Sequence, residues 1–457
     1  MPIERLTAED EIMLWPDEIW PQDIGAIALF DGANLFAADG RFRIEAVRGA
    51  VERKLHLAPR FRQLLRVPPA ELGGPLWIDA PTFDIADHVR LLPLPPPGDE
   101  DQVLATVEVI RRRRLDRSKP LWEIWVLPGL PGNRIAVFMR THHCIADGIA
   151  GVAVLGTLLD LEPDAATVPG PPWTPAKPPS DDDLRADHDM RHSRDMRGRV
   201  ATFAHPLKSA HGVLGAWPAV RELLAEKELP ASSLDRRVGP GRTLALVRAD
   251  LQAVKDIAHG NDAKVNDVLL AAIAGGLRRL LAGRGEPVDG TILRVYVPVS
   301  LRHGEYAGAR GNQIAQMVVP LPVGVGDPGV RLRMIVAETA RRKLRARPSV
   351  GKLPHRGLAG RLFLKLIDRQ HVNVTTADLP GPPVPLYLAG ARLLEVFPLL
   401  PLIGRVSLGV GAISYAGQFN IAAVADWDSH PDLAVFASGV REELGTLELS
   451  RRRSAVA

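Results

Sequence analysis

Between Pro163 and about Arg199 the chain reads PDAATVPGPPWTPAKPPSDDDLRADHDMRHSRDMRGR, Pro-rich at first, then acidic, then rich in His and Arg, with few apolar side chains. Such a segment has too little apolar surface to offset the entropy lost on ordering it, so it is expected to be a mobile linker. Any core must therefore form on either side of it. The division falls at 1–162, 163–205 and 206–457, and 457 residues suffice for two or three packed units.

Both sides read as mixed α/β. Residues 24–31, 121–127 and 134–142 alternate or run apolar over strand lengths, while 43–57 and 101–115 carry apolar residues at helical spacing. After the linker, periodicity resumes in 206–227. It is followed by TLALVRADL (243–251), a helix from about Val265 to Leu281, TILRVYVPVS (291–300) and QIAQMVVPLP (313–322). A basic helix is expected over Arg331–Arg347, and another over 357–370, with Leu358, Leu362, Phe363 and Leu366 on one side. The two halves are similar in size and style.

Apolar residues make up 46% and charged residues 24%, which excludes wholesale disorder and fibrous repeats. A net charge of +4 does not argue for nucleic acid as a partner. Cys144 is the one cysteine, so neither an intrachain disulfide nor a Cys-based zinc site is available. The start, MPIERLTAEDEIMLW, lacks the features of a signal peptide, and charged or proline residues interrupt every greasy stretch before spanning length. The cytoplasm is the expected compartment, with any membrane contact peripheral.

One segment stands apart: the strand RIAVFMRTH runs into His142 and His143, then Asp147, Gly148 and a helix of small residues, giving HHxxxDG. Adjacent residues on a strand face opposite ways, so one histidine should face a site while the other packs. An imidazole can take a proton from a hydroxyl and return it to a leaving group. Asp147 can fix the turn or pair with an arginine, and Gly148 permits a sharp entry into the helix. The competing reading is a pair of satisfied structural histidines. Metal ligation fares worse, for want of HExxH and further cysteines. GxSxG, Walker A and a strand-to-helix GxGxxG are absent too, which removes the usual warrants for a serine hydrolase, a nucleotide hydrolase or a Rossmann dehydrogenase. Cys144 would point with His142, and reads as a small buried residue. The run Arg111–Arg114 reads as a solvated helix end or a phosphate contact, Leu121 and Trp122 read as core, and the tail Arg451–Arg453 reads as disordered.

The motif and the text around it resemble the bacterial wax ester synthase/diacylglycerol acyltransferase family, within the superfamily of CoA-dependent acyltransferases. HHCIADG (142–148) fits the superfamily motif. PRFRQLL (59–65), PLWIDAPTFDIADHV (75–89), LDRSKPLWEIWVL (115–127), VNDVLLA (265–271), VPVSLR (297–302), GNQIAQMVVPLP (311–322) and LPGPPVPLYLAGARL (379–393) resemble family blocks in order. The resemblance implies two similar chloramphenicol-acetyltransferase-like α/β halves, mixed sheets flanked by helices, with a substrate tunnel between them. It implies His143 as general base, His142 as its neighbour and Asp147 as the motif's structural carboxylate, with Arg60, Arg62 or Arg302 as its partner. Gly148, Asn266, Asp267 and Asn312 would help build the site wall. Ala377-Asp378 stands where the family commonly has Ser-Asn, and the opening segment also departs from the family's start.

The activity implied is transfer of a long-chain acyl group from acyl-CoA to diacylglycerol or a long-chain alcohol. Acyl-CoA would be a co-substrate, with no cofactor and no metal. Partners would include the inner membrane face or lipid bodies, touched peripherally. A thioester is activated enough to need only a ternary complex, one base and an oxyanion donor. The competing functions are a condensation-type transferase fed by a carrier protein, and a noncatalytic lipid-binding relative.

Overall fold

The computed structural model describes residues 3–14, 16–145, 156–165, 170–203, 232–300, 314–343 and 372–454. Two six-stranded sheets form its frame. The first contains β1 (Asp23–Asp31), β4 (Val89–Leu91), β5 (Trp122–Pro128), β6 (Arg134–His142), β11 (Tyr387–Leu388) and β12 (Ala391–Leu399), in the order β11-β12-β1-β6-β5-β4. The second contains β7 (Arg242–Asp250), β8 (Leu293–Ser300), β9 (Ile314–Leu321), β10 (Val374–Pro380), β13 (Leu408–Tyr415) and β14 (Gln418–Asp426), in the order β7-β14-β13-β10-β8-β9. A separate hairpin pairs β2 (Gln63–Arg66) with β3 (Leu76–Asp79).

The first sheet is buried on both faces. Ala26 and Phe30 of β1 enter one apolar cluster while Ile27 and Leu29 enter another. That is why IGAIALFD runs apolar rather than alternating with polar residues. Helix α1 (Ile44–Lys54) buries Val47, Ala50 and Val51 at helical spacing, and α2 (Glu100–Arg111) buries Val103, Val107 and Ile110. Asp99 caps α2, its side chain accepting from the Gln102 N–H at 2.9 Å.

After α4 (Leu251–His259), the second half is organised round α5 (Val265–Gly283), whose middle is buried on all sides because α6 (Pro328–Lys343) and α7 (Leu433–Ser454) flank it. Small residues set the α5–α7 distance. A Cβ on Gly276 would lie 2.7 Å from Val440 Cγ2, and one on Gly439 would lie 2.9 Å from the Gly276 Cα. Gly275 leaves room for Glu443, which takes both arms of the buried Arg331 guanidinium at 3.0 and 2.8 Å.

The halves are not separate in space. β12 comes from the second half of the sequence, yet it pairs antiparallel with β1 from Gly25↔Leu399 to Asp31↔Arg392. The division at 206 therefore assigns Tyr387–Leu399 to one half while hydrogen bonding places it in the sheet of the other. The segment read as a mobile linker also differs from expectation over 170–203. Ala176 donates to Asp79 at 2.9 Å, and Arg66 pairs with Asp181 at 2.9 Å. Helix α3 (Asp181–Phe203) buries Leu184 against Leu72 and Leu76, and Asp187 pairs with Arg5 at 2.6 Å. One leucine and a few charges, unremarkable in composition, dock the segment on the first half.

Two arginine groups also differ from expectation. Arg111 is 5% exposed and paired with Asp23, its Nε 3.4 Å from the carboxylate, so it is neither solvated nor offered to a phosphate. Arg451 and Arg452 lie in α7, paired with Asp256 and Glu448 at 3.4 and 2.5 Å. The helices expected over 206–227 and 357–370 fall outside the described residues. No helix among the described residues is long and apolar enough to cross a membrane.

Because Gly276 has no room for a side chain, Gly276→Val is expected to lower unfolding free energy by about 1–3 kcal/mol, measured by urea denaturation. The same change at the unobstructed Gly445 of α7 should cost less.

Candidate active site

β6 delivers the histidine pair, and its neighbours on both sides hold it. The register sets His142 opposite Asp23 of β1 and Thr141 opposite Trp122 of β5. The His142 N–H donates to the Leu121 carbonyl at 3.0 Å, and the His143 N–H donates to the Gln22 carbonyl at 2.8 Å. The Ile145 N–H then closes a turn on the His142 carbonyl at 2.9 Å.

The two rings have different surroundings. His142 is 2% exposed, whereas His143 is half-buried. His142 Nδ1 accepts from the Cys144 N–H at 3.1 Å, which places the proton of a neutral ring on Nε2. Nε2 lies 3.4 Å from Asp17 Oδ1. Asp17 also accepts from the Gln22 N–H at 2.9 Å and pairs with Arg117 at 2.9 Å. Burial alone would raise the Asp17 pKa, but His142, the Gln22 N–H and Arg117 outweigh it and hold the carboxyl well below the usual range. His142 is thus packed and oriented, the arrangement that strand alternation implies for one member of the pair. Asp17 carried no signal of its own in the sequence.

Cys144 packs with Leu14, Leu65, Trp77 and Leu121, and burial pushes its thiol far above the ordinary 9.0. A thiol held protonated is no nucleophile. Leu121 and Trp122 are fully buried. Trp122 stacks between Phe61 and His88, with ring centroids 4.6 and 4.5 Å away, and its indole N–H donates to the Phe61 carbonyl at 2.9 Å. The PLWE block is therefore scaffold beneath the site.

An apolar cleft opens along the face of β6 that carries Val137 and Met139. Ala28 of β1, Leu393 of β12, and Ile413 and Tyr415 of β13 complete its wall, so both sheets contribute. The Tyr415 hydroxyl donates to the Leu393 carbonyl at 3.0 Å and accepts from the Leu386 N–H at 2.9 Å, which leaves its ring to line the cleft. At about 3.3 Å per residue, Met139 lies roughly 13 Å along the chain from His143.

Of the remaining residues read from the sequence, Asp267 is 3% exposed and uses both oxygens within the fold. One accepts from the Lys264 N–H at 2.8 Å at the start of α5, the other from the Thr339 hydroxyl at 2.8 Å. It positions the helix, and Asn266 beside it is half-buried. Arg60 pairs with Glu4, and Arg62 lies over the rings of Phe83 and Trp173 at 5.8 and 5.3 Å. Asp147, Gly148, Asn312 and Arg302 lie outside the described residues. Among the described residues no group of three or more His, Cys, Asp or Glu side chains is placed to hold a metal ion.

Asp378 occupies an opening in the second sheet. β10 pairs with β13 from Val374 to Pro380, but with β8 only at Val374 and Thr375. Beyond Thr375 the two strands part, and Asp378 lies in the parted stretch, where burial pushes its carboxyl up to about 6. Below that pH it is neutral and can donate a hydrogen bond, as an Asn amide does.

Two outcomes follow from these carboxylates, which have opposite signs. Asp17 has a depressed folded value, so its stabilisation is fully present above about pH 4 and is lost progressively as pH falls from there through the depressed folded value. Asp17→Ala should cost about 3 kcal/mol at pH 7 by chemical denaturation, with a smaller difference from wild type at pH 3. Asp378 has a raised value, so its charge destabilises the fold increasingly from pH 4 to 6. Asp378→Asn should therefore raise stability by up to about 3 kcal/mol at pH 7.5 and change it little at pH 4.

The chain matches the model of the wax ester synthase/diacylglycerol acyltransferase catalytic domain over residues 6–269 and that of the WS/DGAT C-terminal domain over 310–448. A Mycobacterium tuberculosis protein named "Probable diacyglycerol O-acyltransferase tgs1" is 32% identical over 442 residues, covering 94% of this chain and 92% of its own. Among solved structures, the wax ester synthase/diacylglycerol acyltransferase from Marinobacter aquaeolei VT8 superposes with a TM-score of 0.71 at 22% identity, covering 98% of this chain and 99% of that one. The first condensation domain of the calcium-dependent antibiotic synthetase superposes at 0.63 with 16% identity, covering 98% and 96%. These structures share the two-sheet α/β fold. With two family models spanning most of its length and a relative at 32% identity over 94% of it, the chain belongs to the wax ester synthase/diacylglycerol acyltransferase family.

Proposed function

We propose that this protein transfers a long-chain acyl group from acyl-CoA to the hydroxyl of diacylglycerol or a long-chain alcohol, with His143 as the general base. The observation that carries the reading is the division of labour in the histidine pair. His142 is buried and tied to Asp17 and Cys144, while His143 is half-buried at the end of a strand whose face lines an apolar cleft. The family and the diacylglycerol O-acyltransferase name of the mycobacterial relative support the acyltransferase activity and do not favour a carrier-fed or noncatalytic protein.

The chemistry is balanced without a covalent enzyme intermediate. The acceptor hydroxyl oxygen attacks the thioester carbonyl as its proton passes to the His143 imidazole. The tetrahedral adduct then expels the CoA sulfur, which takes the proton back from the imidazolium. An alkoxide does not form unaided near neutral pH, so the base belongs on the acceptor, whereas thiolate leaves readily. The cleft favours a long acyl chain by about 0.8 kcal/mol for each methylene it buries. Asp147 and Gly148 complete the sequence motif after His143, and Asn266 is assigned to the substrate wall. Asp267 acts through the start of α5. Peripheral contact with a lipid surface belongs to the same reading, because both acceptors are sparingly soluble.

The test is thiol release from palmitoyl-CoA by purified protein, with and without diacylglycerol or hexadecanol. Wild type should release CoA only when acceptor is present, and His143→Ala should be slower by roughly 10²–10⁴-fold while remaining folded. Acceptor-dependent release undiminished in His143→Ala would remove His143 from the role of base.

A further inference from the structure

The segment Asp17–Gln22 holds both histidines on its inner side. On its outer side it carries Ile19, which is 57% exposed. An indole bond ties this segment to the stretch around Val238, and that stretch is bonded in turn to two others from distant parts of the chain. The Trp20 indole N–H donates to the Val238 carbonyl at 3.0 Å, and the Val238 N–H donates to the Gly404 carbonyl at 2.9 Å. The Gly239 N–H donates to Asp426 at 2.7 Å, and the Trp427 N–H donates to the Gly241 carbonyl at 3.2 Å. Arg236–Gly241 is thus the spine of one surface, and even fully extended its six residues span only about 20 Å.

This surface has a particular composition. Ile403 and Trp427 are 38% and 54% exposed beside that spine. Arg236, Arg237 and Arg405 are exposed among them, and the Arg237 guanidinium lies 5.4 Å over the Trp20 ring. No ion pair among the described residues engages these three arginines. Arg114, also exposed, borders the face through its bond to the Asp17 carbonyl at 3.1 Å. The acids in the same segments are the exposed Glu18 and Asp428 and the half-buried Asp235. Half-exposed tryptophan and isoleucine interleaved with unneutralised arginine is the pattern of a surface that sinks apolar side chains among lipid headgroups while guanidinium groups meet phosphate.

We propose that this face, built from Ile19, Trp20, Arg236, Arg237, Ile403, Arg405 and Trp427, docks the protein on an anionic lipid bilayer. The occupant is argued from charge and from the paired aliphatic and indole anchors, both of which a bilayer surface accommodates together. The position of the face gives docking a purpose within the proposed reaction: the residues between Ile19 and the histidines are Asp17, Trp20 and Gln22. A bilayer that supplies or receives lipid would therefore lie against the same short segment that orients His142 and His143.

The experiment is flotation of the full-length protein with vesicles of phosphatidylcholine alone or with 30% phosphatidylglycerol, at low and high salt. It reads binding without turnover, so its result stands apart from that of the acyltransferase assay. Wild type should float with the anionic vesicles and less so at high salt. The triple variant R236S/R237S/R405S should bind them about 100-fold more weakly, at about fivefold per arginine. I19S/I403S/W427S should lose binding at both salt concentrations. A control, L57S/V67S/L161S, changes apolar side chains that are at least as exposed at other places in the fold and should bind as wild type does. Wild type that ignores anionic vesicles overturns the proposal, as does wild type that binds equally with all variants. If wild type instead ignores vesicles and forms a dimer that I19S/I403S/W427S dissociates, the face is a contact between copies of the chain and the proposal fails.

Discussion

The antiparallel pairing of Ala391–Leu399 with Asp23–Asp31 is the contact on which the remainder of the structure depends. It sets β1 between β12 and β6, which makes β1 a central strand and fixes the level of its first residue, Asp23, opposite His142. The same pairing brings Leu393 and Val396 to the cleft and lays β12 close to β13 of the second sheet. Gly411 shows how close: a Cβ there would lie 2.7 Å from the Pro398 carbonyl oxygen. The wall of the cleft, the end of β6 and the approach of the two sheets are consequences of one ladder of hydrogen bonds.

Around that ladder several buried charges meet a partner of opposite sign. Glu123 takes the Arg140 guanidinium at 3.0 and 2.8 Å within the first sheet, and Glu443 does the same for Arg331 in the second half. Asp23 and Arg111 close the seam, where Arg111 also donates to the Leu400 carbonyl at 3.0 Å. Such pairs add little net stability against apolar substitutes, but a lone member is costly, so they discriminate against wrong registers. The Asp17–His142 contact belongs to this set by its burial and differs in its position, since it fixes one ring of the histidine pair.

Much of this was legible in the sequence. Strands at 24–31, 134–142 and 243–251, and the long helix from Val265, appear within a residue or two of where apolar periodicity placed them. The five strands between Val374 and Asp426 were not read, because Pro398, Gly409 and Gly411 interrupt their patterns. Those residues serve close approaches between strands, and no local window distinguishes a glycine needed for contact from one that ends an element. The role of Arg111 is hidden from the sequence for a related reason. A cation at a helix C-terminus is ordinarily solvated, and only the tertiary fold brings Asp23 to it. In the site, the histidine pair at the end of a strand is legible from the sequence, with one ring packed as strand alternation implies. Asp17 could be found only through the fold, being an acidic residue among other acidic residues, far along the chain from His142.

The crossing of β12 into the first sheet also changes what the connection between the halves must do. In a pair of beads joined by a string, the string alone prevents separation. Here the second part of the chain lends β11 and β12, two and nine residues, to the sheet of the first, so the two parts are interlocked by shared strands and the covalent link adds only proximity. Expressed as two polypeptides divided within the connecting segment, the halves would behave as complementary fragments. The first would lack two strands of its sheet, the second would carry those strands unpaired with β1, and their pairing would supply the affinity that reassembles the fragments.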